Sequence, residues 1–145
     1  MYLEKARKQI SLHIGKIQTT SSVYETEPWG FSAEIPFLNQ VAISETILEP
    51  QQVMQKILGI EKDLGRIRKQ GRYSSRRIDI DILFYDDMII NEKDLVIPHP
   101  MLHKRRFALE PLAEIEPELV HPVLKKTISD LYKECSDNSE VRKMH

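Results

Sequence analysis

Between Ile78 and Tyr85 the chain runs Ile-Asp-Ile-Asp-Ile-Leu-Phe-Tyr, and few local structures can hold such a stretch. β-Branched and aromatic side chains at this density favour a pleated strand. Successive side chains of a strand alternate faces, so Asp79 and Asp81 point one way while Ile78, Ile80 and Ile82 point the other. The two carboxylates are then one pleat apart, with roughly 6–7 Å between their Cα atoms. Like charges at that spacing repel, and water or cations between them relieve the cost. Just upstream, the twelve residues from Arg66 to Arg77 hold six cationic side chains (Arg66, Arg68, Lys69, Arg72, Arg76, Arg77) and no acid. Hard-metal ligands beside a cluster of phosphate binders point to a site for magnesium and a polyphosphate.

The elements around that strand limit the topology. Leu3, Ala6, Ile10, His13, Ile14 and Ile17 fall at helical spacing, with Gly15-Lys16 as the terminus. Residues 17–25 read as a strand, Glu27-Pro28-Trp29-Gly30 breaks it, and 37–46 reads as a second strand with Val41 and Ile43 in alternation. Pro50 suits the first turn of a helix whose stripe is Val53, Ile57, Ile60 and Leu64, ending at Gly65. A basic loop over 66–77, the 78–85 strand, an Asp86-Asp87 turn and a short strand near 88–90 follow. A helix over 106–115 contains Pro111, which predicts a start or break there. Thr127 can cap a last helix that turns Ile128, Leu131 and Tyr132 inward. Two strands joined only by a loop pair antiparallel, so the expected fold class is α+β, with a mainly antiparallel sheet. A chain opening in a helix resembles a βαββαβ unit without its first strand.

At 145 residues, 41% apolar and 30% charged, the chain has the composition of one globular domain. That domain is expected over 1–135, with a frayed polar tail at 136–145. A net charge of −1 argues against a nucleic-acid polycation, so the basic cluster needs a local explanation. One cysteine, Cys135, excludes an internal disulfide framework, and no Cys/His set has zinc spacing. Neither a membrane-spanning run nor a signal-peptide pattern is present, which makes the cytoplasm the expected compartment.

Other residues have both plain and chemical readings. His99 lies between two prolines, ahead of the basic run Lys104-Arg105-Arg106. It is either a structural loop histidine or a phosphate ligand. Glu61, between Ile57 and Leu64, is either a stripe-edge residue or a carboxylate aimed into a site. Phe37 and Phe107 are core aromatics by default, or a stacking clamp for a flat heterocycle. In the second case Asn39, one pleat from Phe37, offers both donor and acceptor. Gly65 and Gly71 allow the basic loop to act as a lid. No P-loop motif is present.

Six motifs in register carry a resemblance to a known family. They are the stretch Ser22–Gly30, Phe37-Leu38-Asn39, Ile60-Glu61-x-x-Leu64-Gly65-Arg66, Arg76-x-Ile78-Asp79-Ile80-Asp81-Ile82-Leu83, Val96-Ile97-Pro98-His99-Pro100 and Arg105-x-Phe107-x-Leu109-x-Pro111-Leu112. Together they resemble the 6-hydroxymethyl-7,8-dihydropterin pyrophosphokinases of folate biosynthesis, over about residues 2–135. The resemblance implies a ferredoxin-like α/β sandwich and transfer of the β,γ-pyrophosphoryl group of ATP to the pterin's hydroxymethyl oxygen, with release of AMP. It implies two magnesium ions on Asp79 and Asp81, and Arg66 and Arg76 acting on the phosphates. It further implies His99 and Arg105 on the triphosphate, with Arg68 and Tyr73 helping a lid to close over ATP. The pterin would stack between Phe37 and Phe107, Asn39 would bond its ring, and Thr26, Glu27 and Trp29 would complete the pocket. Glu61 would lie near the floor of the site. The expected partners are ATP and the hydroxymethyl-dihydropterin, with no nucleic acid and no membrane, in a monomer or homodimer.

The sequence departs from the family pattern at its front, where members usually open with a strand and a Gly-Ser-Asn-type loop. Truncation is the expectation. The alternatives are an inactive relative that only binds nucleotide or pterin, or another segment in place of the strand. A small RNA-binding domain of ferredoxin-like order is a third reading, which Asp79 and Asp81 oppose.

Overall fold

The computed structural model describes residues 2–26, 37–65 and 78–144. The chain divides into two compact units that interleave along the sequence: Met1–Gln18 with Ile43–Ile82, and Thr19–Ala42 with Leu83–His145. No described helix is long and apolar enough to cross a membrane.

The first unit is built on two helices, α1 (Tyr2–His13) and α2 (Pro50–Gly65), which pack on each other. Helix α1 ends where the Ile14 and Gly15 amides both donate to the Ile10 carbonyl. The carbonyls beyond it are taken by hydroxyls: Ser44 Oγ donates to Gly15 O and Thr46 Oγ1 to Ile14 O, each at 2.7 Å. Those side chains bring the Glu45 backbone so close that a Cβ on Gly15 would lie 1.9 Å from the Glu45 carbonyl oxygen. Pro50 opens α2, where a missing N–H costs nothing. Gln52 reaches back to accept from the Glu49 amide at 2.9 Å, half of a capping box. Of the expected stripe Val53, Ile57 and Ile60 are buried and Leu64 is half-buried, and Pro50 is buried with them.

Each long strand expected from the sequence is broken into two short ones. The first becomes β1 (Ile17–Thr20) and β2 (Tyr24–Thr26), and the second β3 (Phe37–Asn39) and β4 (Ala42–Ser44). Ser21 marks the break: its amide donates to Val41 O, and its hydroxyl both donates to Ser22 O and accepts from the Val41 amide. Strand β1 pairs with β4, and β2 pairs antiparallel with β3.

In the second unit a hairpin of β5 (Ile90–Glu92) and β6 (Leu95–Ile97) replaces the single strand expected near 88–90. It is entered through a turn in which Asp86 has φ 51°, a left-handed conformation aspartate accepts readily. A 3₁₀ turn (Leu102–Lys104) leads into α3 (Arg106–Ile115), and α4 (Ile128–Glu134) follows. Pro111 neither starts nor breaks α3; it is buried inside the helix and gives up one backbone hydrogen bond there. Thr127 caps α4, accepting from the Asp130 amide at 3.1 Å. Leu102, Leu109, Leu112, Ile128 and Leu131 form the core. The tail expected to fray carries β7 (Val141–Lys143), which pairs antiparallel with β2. Its ladder and an Arg142–Glu25 ion pair at 2.9 Å give these polar residues partners that no local pattern announces. The resulting three-stranded sheet runs β3-β2-β7, and α3 packs against all three strands.

Candidate active site

Residues 78–84 form no ladder with any described segment, which corrects the expectation of a strand there. The alternation nevertheless holds. Asp79 and Asp81 are exposed, while Ile78, Ile80 and Ile82 are half-buried. A helix side chain does part of what a neighbouring strand would do: Glu61 Oε2 accepts from the Ile80 amide at 2.7 Å. Glu61 is half-buried, next to buried Ile60 on α2. Its carboxylate thus reaches the backbone between the two aspartates.

Two exposed carboxylates flanking one anchored peptide fit magnesium. That ion takes few protein carboxylates and fills its octahedron with water and phosphate oxygens. No group of three or more His, Cys, Asp and Glu residues among those described gathers as a metal cage. The donor set suits a metal shared with a substrate, and a fully enclosed structural ion would need more ligands.

The second unit gathers most of the residues expected on the pterin side. The β2–β3 register sets Thr26 opposite Phe37 and Tyr24 opposite Asn39. Asn39 Nδ2 donates to Thr26 Oγ1 at 3.3 Å, so two residues thirteen apart in sequence meet. Thr26 is buried, Asn39 half-buried, and Phe37 58% exposed, which leaves an aromatic face available. Helix α3, which packs on both strands, carries Phe107 near its start. Arg105, extended just before α3, holds its guanidinium 5.6 Å from the Phe107 ring centroid. His99 follows a cis Ile97–Pro98 peptide, and its amide donates to Leu83 O at 3.0 Å. Its Nδ1 accepts from the Met101 amide at 3.1 Å, so the neutral ring carries its proton on Nε2.

Glu114 ties α3 to the chain entering β2. It accepts from the Ser22 amide and hydroxyl and from the Tyr24 hydroxyl at 2.7 Å. Burial opposes its ionisation, but the Tyr24 and Ser22 hydrogen bonds outweigh it and hold the carboxyl below its usual range. Burial, and then the Glu114 carboxylate, push the Tyr24 hydroxyl well above the usual phenol range. The sequence reading missed this carboxylate and also missed Asp137, which lies in the tail. The Asp137-Asn138-Ser139 run, a turn signature, is the signal that could have marked the latter. Glu27, Trp29, Arg66, Arg68, Tyr73 and Arg76 lie outside the described residues.

A sequence model of the 7,8-dihydro-6-hydroxymethylpterin-pyrophosphokinase (HPPK) family matches residues 1–117. The chain belongs to this family. Among its relatives, the 2-amino-4-hydroxy-6-hydroxymethyldihydropteridine pyrophosphokinase of Aquifex aeolicus is 41% identical, over 92% of this chain and 82% of that protein. The enzyme of the same name from Haemophilus influenzae is 37% identical, over 97% of this chain and 87% of its own length. The fold is similar to that of Plasmodium falciparum HPPK-DHPS, with a TM-score of 0.73 at 22% identity. That match covers 92% of this chain and 40% of the longer one. As a member of the HPPK family, the chain is an ATP-dependent pyrophosphokinase of folate biosynthesis.

Proposed function

We propose that the chain moves the pyrophosphoryl group of ATP onto 6-hydroxymethyl-7,8-dihydropterin, with Asp79 and Asp81 as the metal-holding centre. The observation that carries this reading is the exposed aspartate pair with its middle peptide anchored on Glu61. In the reaction the pterin's hydroxymethyl oxygen bonds to the β-phosphorus. The bond from that phosphorus to the bridging oxygen of the α-phosphate breaks, AMP leaves, and the hydroxyl proton is released. Such a transfer asks for little covalent chemistry from the protein, so positioning and charge neutralisation carry the rate.

Each residue set has its own task. Asp79 and Asp81 would hold two magnesium ions, which when bound neutralise charge on the phosphate oxygens. His99 and Arg105 bind the triphosphate, the arginine through a planar donor fork. Arg66, Arg68, Tyr73 and Arg76 act on the phosphates and on closure over ATP, a reading supported by the family motif. Phe37 and Phe107 stack on the pterin, Asn39 bonds its ring from its seat on Thr26, and Glu27 and Trp29 complete the pocket. A ferredoxin-like sandwich, a cytoplasmic location and a monomer or homodimer complete the proposal.

The test is to incubate the protein with ATP, magnesium and the hydroxymethyl pterin and to identify the nucleotide product. AMP is expected, and ADP would overturn pyrophosphoryl transfer. Asp79→Ala or Asp81→Ala should lower turnover by about a thousandfold or more, the loss of several kcal/mol of charge stabilisation. Pterin binding should be largely spared. Full activity in either variant would refute the metal assignment.

A further inference from the structure

Helix α3 begins without a cap of its own. Arg105 occupies the N-cap position and makes no side-chain capping bond, so the first-turn amides need acceptors from elsewhere. One comes from 31 residues downstream, where Asp137 Oδ2 accepts from the Arg106 amide at 3.0 Å. The Asp137 carbonyl accepts from Arg106 Nε at 2.9 Å, and the Arg106 guanidinium lies 5.0 Å from the Tyr132 ring centroid. Asp137 is itself held. Its Oδ1 accepts from the Ser139 amide at 2.9 Å and from the Ser139 hydroxyl at 2.6 Å. A carboxylate is thereby fixed at the positive end of the helix that carries Phe107. Two residues beyond Ser139 the same segment becomes β7, with Val141 opposite Thr26 on β2.

The tail thus touches β2, which carries Thr26, and α3, which carries Phe107, and it lies beyond residues 1–117 of the family match. We infer that Asp137 is a positioning residue for the reaction: by capping α3 from the tail it sets the backbone from which Arg105 and Phe107 project. This inference rests on the substrate-binding reading of those two residues given above.

The test compares Asp137→Ala, Asp137→Asn and Phe107→Ala, measuring kcat, KM for ATP and pterin, pterin affinity by fluorescence, and melting temperature. Asp137→Ala should raise the pterin KM and dissociation constant roughly tenfold, well below its melting temperature. Asp137→Asn, which keeps an oxygen to accept from the Arg106 amide, should recover most of that loss. A lower melting temperature with unchanged substrate constants would reduce Asp137 to a stability cap and overturn the inference, as would an Asn variant no better than Ala. Should Asp137→Ala fail to fold, Ser139→Ala, which removes one of the bonds orienting the carboxylate, should raise the pterin KM by a smaller factor; no change would count against the inference. Phe107→Ala separates the two levels. If it leaves pterin affinity intact, the reading of Phe107 fails; if it weakens binding while the Asp137 variants do not, only the inference about Asp137 fails.

Discussion

Glu61 Oε2 accepts from the backbone amide of Ile80 at 2.7 Å, and Ile80 is the residue between the two aspartates. A helix carboxylate therefore fixes the peptide whose neighbours on both sides are the proposed metal ligands. Glu61→Ala is expected to cost about 1.5–3 kcal/mol of stability, the range for a hydrogen bond to a charged group. It should also raise the magnesium concentration needed for half-maximal AMP formation. Glu61→Gln, which keeps an acceptor, should fall between the two. Urea denaturation and a magnesium titration of activity measure these effects, and an unchanged titration in the Ala variant would detach Glu61 from the metal centre.

Asn39 is held by Thr26 across the β2–β3 ladder, so its amide is oriented before any ligand arrives. Asn39→Ala should weaken pterin binding by about 1–3 kcal/mol, or roughly 5- to 150-fold, by leaving ring polar atoms unpaired. The ATP constant should stay the same. Fluorescence titration with the pterin, beside an ATP titration, tests this.

His121 is 5% exposed, its Nδ1 accepts from the Val123 and Leu124 amides, and its ring meets Phe84 edge-on at 5.6 Å. Burial, and then the nearby His103, lower its pKa from an ordinary value near 6.5. The unfolded chain therefore takes up this proton at a higher pH than the folded one. His121 has no effect on stability well above pH 6.5, and stability declines as pH falls from there toward the folded pKa. His121→Asn offers an oxygen to the same amides and cannot titrate. Its melting temperature should be flatter than the wild type's over that window, and two parallel curves would refute the assignment.

The glycines at positions 15 and 59 should respond to alanine with opposite signs. At Gly15 the new Cβ would meet the Glu45 carbonyl oxygen at 1.9 Å, so backbone must move, at a cost of about 1–3 kcal/mol. At Gly59, inside α2, nothing lies within 4 Å, and alanine should add about 1 kcal/mol through helix propensity. Denaturant midpoints of the two variants check the pair.

Features governed by near neighbours were legible in the sequence. The stripe of α2, the Thr127 cap and the alternation of Asp79 and Asp81 with isoleucines all follow from spacings of two to four residues. Features that depend on distant partners were not. The 78–85 run has the composition of a strand, but a ladder needs a second backbone; among the described residues Ile80 donates to the Glu61 side chain and Leu83 accepts a single amide, from His99. Strand β7 has no apolar alternation to betray it, because its stabilisation comes from β2 and from the ion pair with Glu25. At the site, the pairing of Asn39 with Thr26 needed the hairpin register, and the role of Asp137 needed the path of a tail that composition alone marked as frayed.

Strand β2 lies between β3 and β7, and the ion pair from Glu25 to Arg142 joins residues 117 apart in sequence. At about 5–20 residues per second, a ribosome needs roughly 6–23 s to make that intervening stretch, so β2 waits that long with one edge unsatisfied. A nascent chain in this state is open to capture by other extended segments. The sheet that carries Thr26 is therefore finished late in synthesis, and the yield of active protein should depend on how well chaperones cover that edge in the interval.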